Sequence, residues 1–389
     1  MPKNIVFFVH GIGQHAEGWS KAADGPVAAL NNAMQLYPAC FPAGKKLEDY
    51  LDLVEIRYDD IFDKVLDTWK DLGNSIPSHA GFNWVSAISD LMKSVEGNKD
   101  LFLRYGGDVL LYCGFDLVAR AVRLRVNSVI ATKIYQAYLA AAGSPGQVPR
   151  FSVIAHSLGT AVAQDALFQL ANAKWDEDIA AVLSQRPELN IVTHLNKNDQ
   201  SDYQAVIDGA KQNPDSPIPV GLNSLFLIAD TVPFLRRTGE YALQRAASGA
   251  YDCTRIYNVN HLWDPVSKIC GGLSIENPRS HWSWANIKIS HVHDKNIHGF
   301  GHYLSNPAVH GTIFSKLIET EFADACYDSA QALSQQTEWQ GFGGQLANLE
   351  QQARQQLEDK LNSISTGIGS REGLLRAAIE ALDKLKEGV

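Results

Sequence analysis

Ser157 lies in the pentapeptide Ala155-His156-Ser157-Leu158-Gly159, and its flanks give the serine chemical interest. Residues 151–155 (FSVIA) form a short apolar run that predicts a buried strand, and apolar residues return at helical spacing over 160–171. A serine between the two sits on a sharp strand-to-helix turn. Its hydroxyl stands clear of the backbone, and small outer residues let strand and helix pass closely. The spacing is that of G-x-S-x-G, with Ala155 in the first small position. Such a hydroxyl attacks an electrophilic carbon once a nearby base takes its proton. Histidines are concentrated at 291–302. His291 and His293 share one face of a predicted strand, and His298 and His302 follow. Imidazoles serve as proton acceptors or as metal ligands. This spacing matches no metal motif, and a metal would leave Ser157 unexplained, so neither a metal nor a cofactor is expected.

These residues need a scaffold. Residues 5–9 (IVFFV) are continuously apolar and end in His10-Gly11-Ile12-Gly13, the pattern of a strand buried on both faces feeding a tight loop. Further strands are expected at 51–58, 225–229, 255–259 and 287–291. A long helix is expected over 108–142, closed by Gly143-Ser144-Pro145-Gly146. Residues 61–107 are loosely helical and broken by Gly73, Pro77 and Gly81. Residues 172–222 are polar and far longer than an α/β connection requires. Both read as insertions. From 324 onward the composition shifts to Gln, Glu and Lys with Leu346, Leu349, Ala353, Leu357, Leu361 and Ile364 on one helical face. The expected organisation is an α/β domain over 1–323 with a mostly parallel sheet, helices on both faces and two cap or lid insertions, then a helical extension over 324–389. That extension is read as packed back on the domain, with a homo-oligomer through the C-terminal helices as the alternative.

The chain has 389 residues, 45% hydrophobic and 20% charged, with a net charge of −9, which excludes a disordered chain and offers no basic stripe for nucleic acid. Five cysteines, Cys40, Cys113, Cys253, Cys270 and Cys326, never stand as C-x-x-C and read as buried thiols of a reducing compartment. The apolar run at 5–9 is too short for a signal h-region, and no stretch reaches membrane-spanning length. A cytoplasmic protein is the expectation.

The strand, pentapeptide and helix resemble the nucleophile elbow of the α/β-hydrolase superfamily of serine esterases and lipases. The resemblance implies an α/β-hydrolase fold and hydrolysis of carboxylic esters through an acyl-enzyme. His10-Gly11 is similar to the loop that carries one oxyanion donor, which implies the backbone N–H groups of Ile12 and Leu158 as the pair. The superfamily order of serine, acid and histidine implies Asp264, on the loop after 255–259, as the acid, with Asp230 as its competitor. It implies His302, ahead of a Tyr and an Asn-Pro, as the base, with His298 as the alternative. Gly107-Asp108-Val109-Leu110-Leu111-Tyr112 and the run from Ile256 to Val266 also resemble phospholipases A1 of the DDHD type. Phe82, Trp84, Val85, Ile88 and Met92 would give a lid an apolar face, so a lipid-like acyl ester is the expected substrate, with a small-ester carboxylesterase or a catalytically silent interaction protein as alternatives. The acidic charge argues against tight adsorption to anionic bilayers, and peripheral membrane contact is left open.

Overall fold

Six short apolar segments form one sheet: β1 (Asn4–Val9), β2 (Leu51–Ile56), β3 (Phe151–His156), β4 (Leu222–Ile228), β5 (Arg255–His261) and β6 (Ser283–Ile289). The computed structural model describes residues 3–11, 13, 15–63, 112, 116–141, 150–172, 222–232, 255–264, 266–267, 283–290, 297–318, 322 and 324–336. All five pairings are parallel, in the order β2-β1-β3-β4-β5-β6. Parallel neighbours cannot be joined by a hairpin and need crossover connections, and with helices beside this sheet the protein is of the α/β class. β1, β3 and β4 are buried along nearly their whole length, which is why their sequences are apolar runs and not alternations. β6 is an edge strand and does alternate. Asn286 and Lys288 are exposed while Ile289 is buried, and the strand begins at Ser283, four residues before the position the sequence suggests.

The helices are α1 (Pro26–Met34), α2 (Leu47–Tyr50), α3 (Asp116–Ala141), α4 (Leu158–Asn172), α5 (Phe300–Ser305), α6 (Pro307–Leu317) and α7 (Asp324–Gln336), with a 3-10 turn at Trp19–Lys21. On one face of the sheet, Val6, Phe8, Ile154, Phe226, Ile228 and Val259 join a core with residues of α1, α5, α6 and α7. Successive strand residues point to opposite faces, so Ile5, Phe7, Val153, Leu225 and Leu227 face the other way, and they are equally buried. Helix α4 contacts β3 and β1, and its buried Val162, Ala166 and Leu167 stand outside the first core. Between α5 and α6, Asn306 caps the second helix. Its side chain accepts from the Ala308 N–H at 2.9 Å, and Pro307 takes the first helical position, where its missing N–H is harmless.

The strand order has a functional consequence. From β1 the chain moves outward to β2, then returns to place β3 on the other side of β1, so the winding reverses between β1 and β3. In open α/β sheets, ligands bind outside the carboxyl ends of the strands at such a reversal. Those two ends carry His10-Gly11 and Ser157.

The chain divides into two compact units. The first, Met1–Gly11, His15–Tyr58 and Arg120–Glu338, holds every element above except the opening of α3. The second is Ile12–Gln14, Asp59–Ala119 and Trp339–Val389, of which the described residues are Gly13, the helical 59–63, Tyr112 and 116–119. The expected insertions beyond residue 63 and over 173–221, and the extension beyond Gln336, lie outside the described residues.

Cys40 and Cys326 form a disulfide that joins the segment after α1 to α7. The expectation of buried thiols therefore fails for this pair. Sequence spacing could not reveal it, because the two residues are 286 positions apart and meet only when α7 packs against the first core. Cys113, Cys253 and Cys270 lie outside the described residues. Among those that are described, no helix is long and apolar enough to cross a membrane.

Candidate active site

Ser157 follows β3 directly and has φ of 54°, in the left-handed region that non-glycine residues rarely adopt. Strain of this kind persists only where the surroundings over-determine it. Here they do. The Ser157 N–H donates to the Ile228 carbonyl of β4 at 2.9 Å, and its own carbonyl accepts from the Thr160 hydroxyl at 2.6 Å and the Thr231 hydroxyl at 3.1 Å. The Ser157 hydroxyl oxygen is buried and has no hydrogen-bond partner among the described residues.

Two glycines are demanded by this turn. A Cβ on Gly159 would stand 2.1 Å from the His10 carbonyl oxygen, so α4 can start against the end of β1 only with glycine there. A Cβ on Gly11 would stand 2.7 Å from the Ser157 Cβ, which brings the loop after β1 against the serine. Leu158 opens α4, so its N–H is among the four that no intrahelical carbonyl accepts. Ile12, the other expected oxyanion donor, lies outside the described residues, as do His291 and His293.

His10 is tied into the loop by hydrogen bonds. Its Nδ1–H donates to the Gly11 carbonyl at 2.6 Å, its Nε2 accepts the Tyr58 N–H at 3.3 Å, and the Tyr58 hydroxyl donates to the His10 carbonyl at 2.8 Å. Burial first, and then the neighbouring His15, hold its pKa well below the ordinary value, so the ring is neutral.

Asp264 lies just past β5 and is fully buried. Its Oδ1 accepts the Val266 N–H at 2.8 Å. Its Oδ2 accepts from His298 Nδ1 at 2.7 Å, from the Tyr303 hydroxyl at 2.5 Å and, more distantly, from the Ser267 hydroxyl at 3.4 Å. Burial alone would raise its pKa. The His298 charge and the hydrogen bonds from His298, Tyr303 and Val266 outweigh that and hold the carboxyl at about 2.

The structure thus brings Asp264 together with His298 and not with the expected His302. His302 Nε2 instead meets His261 Nε2 at 3.3 Å. The reason is rotational. His302 and Tyr303 are successive residues of α5, about 100° apart around its axis, so only one can face Asp264, and Tyr303 does. His298 precedes the helix, where the backbone is free to aim the ring.

His298 is tied to the residue before the serine, while the Ser157 hydroxyl and His298 Nε2 do not bond each other. His156, the residue before Ser157, donates its Nε2–H to the His298 carbonyl at 2.7 Å, and the two rings lie 4.7 Å apart. Burial, and next the His298 charge, keep His156 neutral, and its ring stacks on Phe300 at 4.9 Å. His156 is therefore a latch between the β3 turn and the loop after β6. Sequence reasoning missed it, together with Tyr303, Ser267 and Tyr58, since each acts through a partner between 36 and 142 positions away.

Asp230, the competing acid, stands at the end of β4 after Ala229, whose φ of 52° makes a second left-handed turn beside that of Ser157. Its Oδ1 accepts from the Val232 N–H at 3.1 Å and from Gln164 Nε2 at 3.4 Å, while its Oδ2 is buried without a partner among the described residues. No imidazole bonds it there. Burial raises its pKa to about 6.

No family model matches the chain, and comparison with curated proteins and with solved structures likewise gives no match.

Proposed function

We propose that the protein is a serine hydrolase of the α/β-hydrolase type that cleaves carboxylic esters. The observation that carries this reading is the strained Ser157 turn, its hydroxyl buried without a partner among the described residues, with the preceding His156 hydrogen-bonded to the backbone of a His298 whose ring is bound to a buried carboxylate. In this mechanism Ser157 Oγ attacks the acyl carbonyl and His298 Nε2 takes its proton. Asp264 holds the Nδ1–H, which fixes tautomer and orientation and stabilises the imidazolium. The tetrahedral oxyanion is met by the Leu158 N–H at the start of α4, with the Ile12 N–H as the second donor. One such donor contributes about 2.7–4 kcal/mol. Protonation of the leaving alkoxide by His298 frees the alcohol, and water repeats the sequence on the acyl-enzyme.

For the substrate we propose a lipid-like acyl ester. Support comes from the apolar side chains of 82–92 within an insertion long enough to cover an acyl chain. The deciding experiment is labelling with a fluorophosphonate, followed by identification of the modified peptide. Ser157 is expected to carry the label, and Ser157→Ala to lose it; label on another serine, or none, removes the hydrolase reading. Across p-nitrophenyl esters from C2 to C16, each buried methylene is worth about 0.8 kcal/mol, so kcat/KM should rise several-fold per carbon beyond about C8. A maximum at C2 to C4 would leave the triad standing and assign a small-ester carboxylesterase.

A further inference from the structure

The carboxylate of Asp264 is shared, and the sharing is uneven. Among the described residues Oδ1 has a single backbone donor, whereas Oδ2 takes His298 Nδ1 and the Tyr303 hydroxyl together, with the Ser267 hydroxyl farther off at 3.4 Å. Behind Tyr303 the donors continue. The Ser267 hydroxyl lies 2.7 Å from the Tyr303 hydroxyl, and the His261 N–H reaches the Ser267 oxygen at 3.5 Å. With Tyr303 donating to Asp264, the Ser267 proton goes mainly to the nearer Tyr303 oxygen and only at longer range to Oδ2, so the donors run from the β5 backbone toward Oδ2. Tyr303 is fully buried, and both burial and the Asp264 charge hold its phenol protonated.

We infer that Tyr303, backed by Ser267, is a positioning residue that sets the basicity of His298 by competing with it for Asp264 Oδ2. This rests on the hydrolase reading above and deepens it. A hydrogen bond to a charged oxygen draws density from that oxygen and weakens its hold on the other donor. An imidazolium opposite such a carboxylate is stabilised less than one opposite a carboxylate with no second donor on that oxygen. Among the described residues, His156 from the end of β3 faces this base, with His10 and His15 behind it, while His302 on α5 is turned to His261. None of these donates to Asp264.

The test is Tyr303→Phe in the full chain, which keeps the ring and its packing. The acid limb of kcat/KM against pH should move up by about one pH unit, and Ser267→Ala should move it the same way by less. A loss of packing alone would lower the plateau and leave the limb in place. The His298 ring is titrated in parallel by NMR in the same variants, a readout that needs no turnover. An unshifted imidazole in Tyr303→Phe overturns the inference, whatever the rates do. If Tyr303→Phe does not fold, the Ser267→Ala titration decides on the same criterion. Absence of fluorophosphonate labelling at Ser157 would remove the hydrolase reading and leave the titration result standing.

Discussion

The ends of β4 and β5 carry two buried carboxylates on neighbouring strands, and they have opposite properties. Asp264 gathers a histidine, a phenol and a backbone N–H, and is ionised down to a pH of about 2. Asp230 has a backbone N–H, one long amide contact and the nearby Thr160 hydroxyl, keeps one oxygen without a partner among the described residues, and burial outweighs those donors to hold it at about 6. Burial is common to both. What separates them is the supply of donors: β5 ends opposite the loop and helix after β6, which bring His298 and Tyr303, whereas Asp230 faces Gln164 of α4. At these two strand ends, the buried carboxylate that stays low in pKa is the one to which a second element delivers hydrogen-bond donors.

The sharpest way to break this comparison is through the histidine. On the proposed mechanism His298→Ala should lower kcat by about 10⁶, as loss of a catalytic base does in the serine-protease precedent, while His302→Ala stays within about tenfold of the parent. Equal or reversed losses on an active ester would return the base to His302. Next in size is the acid. Asp264→Asn should cost about 10⁴ in kcat because the wrong imidazole tautomer results, and Asp230→Asn only a few-fold. Stopped-flow rates on one ester series measure both.

The smallest effect is thermodynamic and has opposite signs for the two groups. Asp230 binds its proton more tightly folded than unfolded, so its contribution is present below pH 3.8 and lost as pH rises through about 6, a cost of about 3 kcal/mol at pH 7. Asp264 is depressed, so its contribution is present above pH 3.8 and is lost as pH falls toward 2. Urea titrations from pH 3 to 8 should show Asp230→Asn flattening the fall in stability between pH 4 and 6 and gaining up to about 3 kcal/mol at neutral pH. An unchanged slope there would mean that Asp230 is solvated or paired.

Much of the scaffold was legible before any coordinates. The runs at 5–9 and 151–155 are apolar because both faces of β1 and β3 are covered, and burial of that kind writes itself into consecutive residues. The turn at Ser157 was equally plain, since a strand, two small residues and a helix are short-range signals. The edge strand β6 was harder: its polar alternation resembles a loop, and the histidines beyond it drew the expected boundary toward the C-terminus. The left-handed Ala229 left no trace at all, because alanine has no preference for that conformation and is held there by its neighbours, its N–H bonded to the Val259 carbonyl.

By itself the sequence determined the class of the sheet, the serine at the end of its third strand and an acid after its fifth. Those features follow from local pattern and from the order in which strands are met. Only the tertiary structure decided that His298 and not His302 meets Asp264, that Tyr303 shares the same oxygen, and that Cys40 pairs with Cys326. Two histidines four residues apart are equivalent to any local rule. They differ because a helix turns by about 100° per residue, so the start and packing of α5 against β5 select which side chain faces the carboxylate.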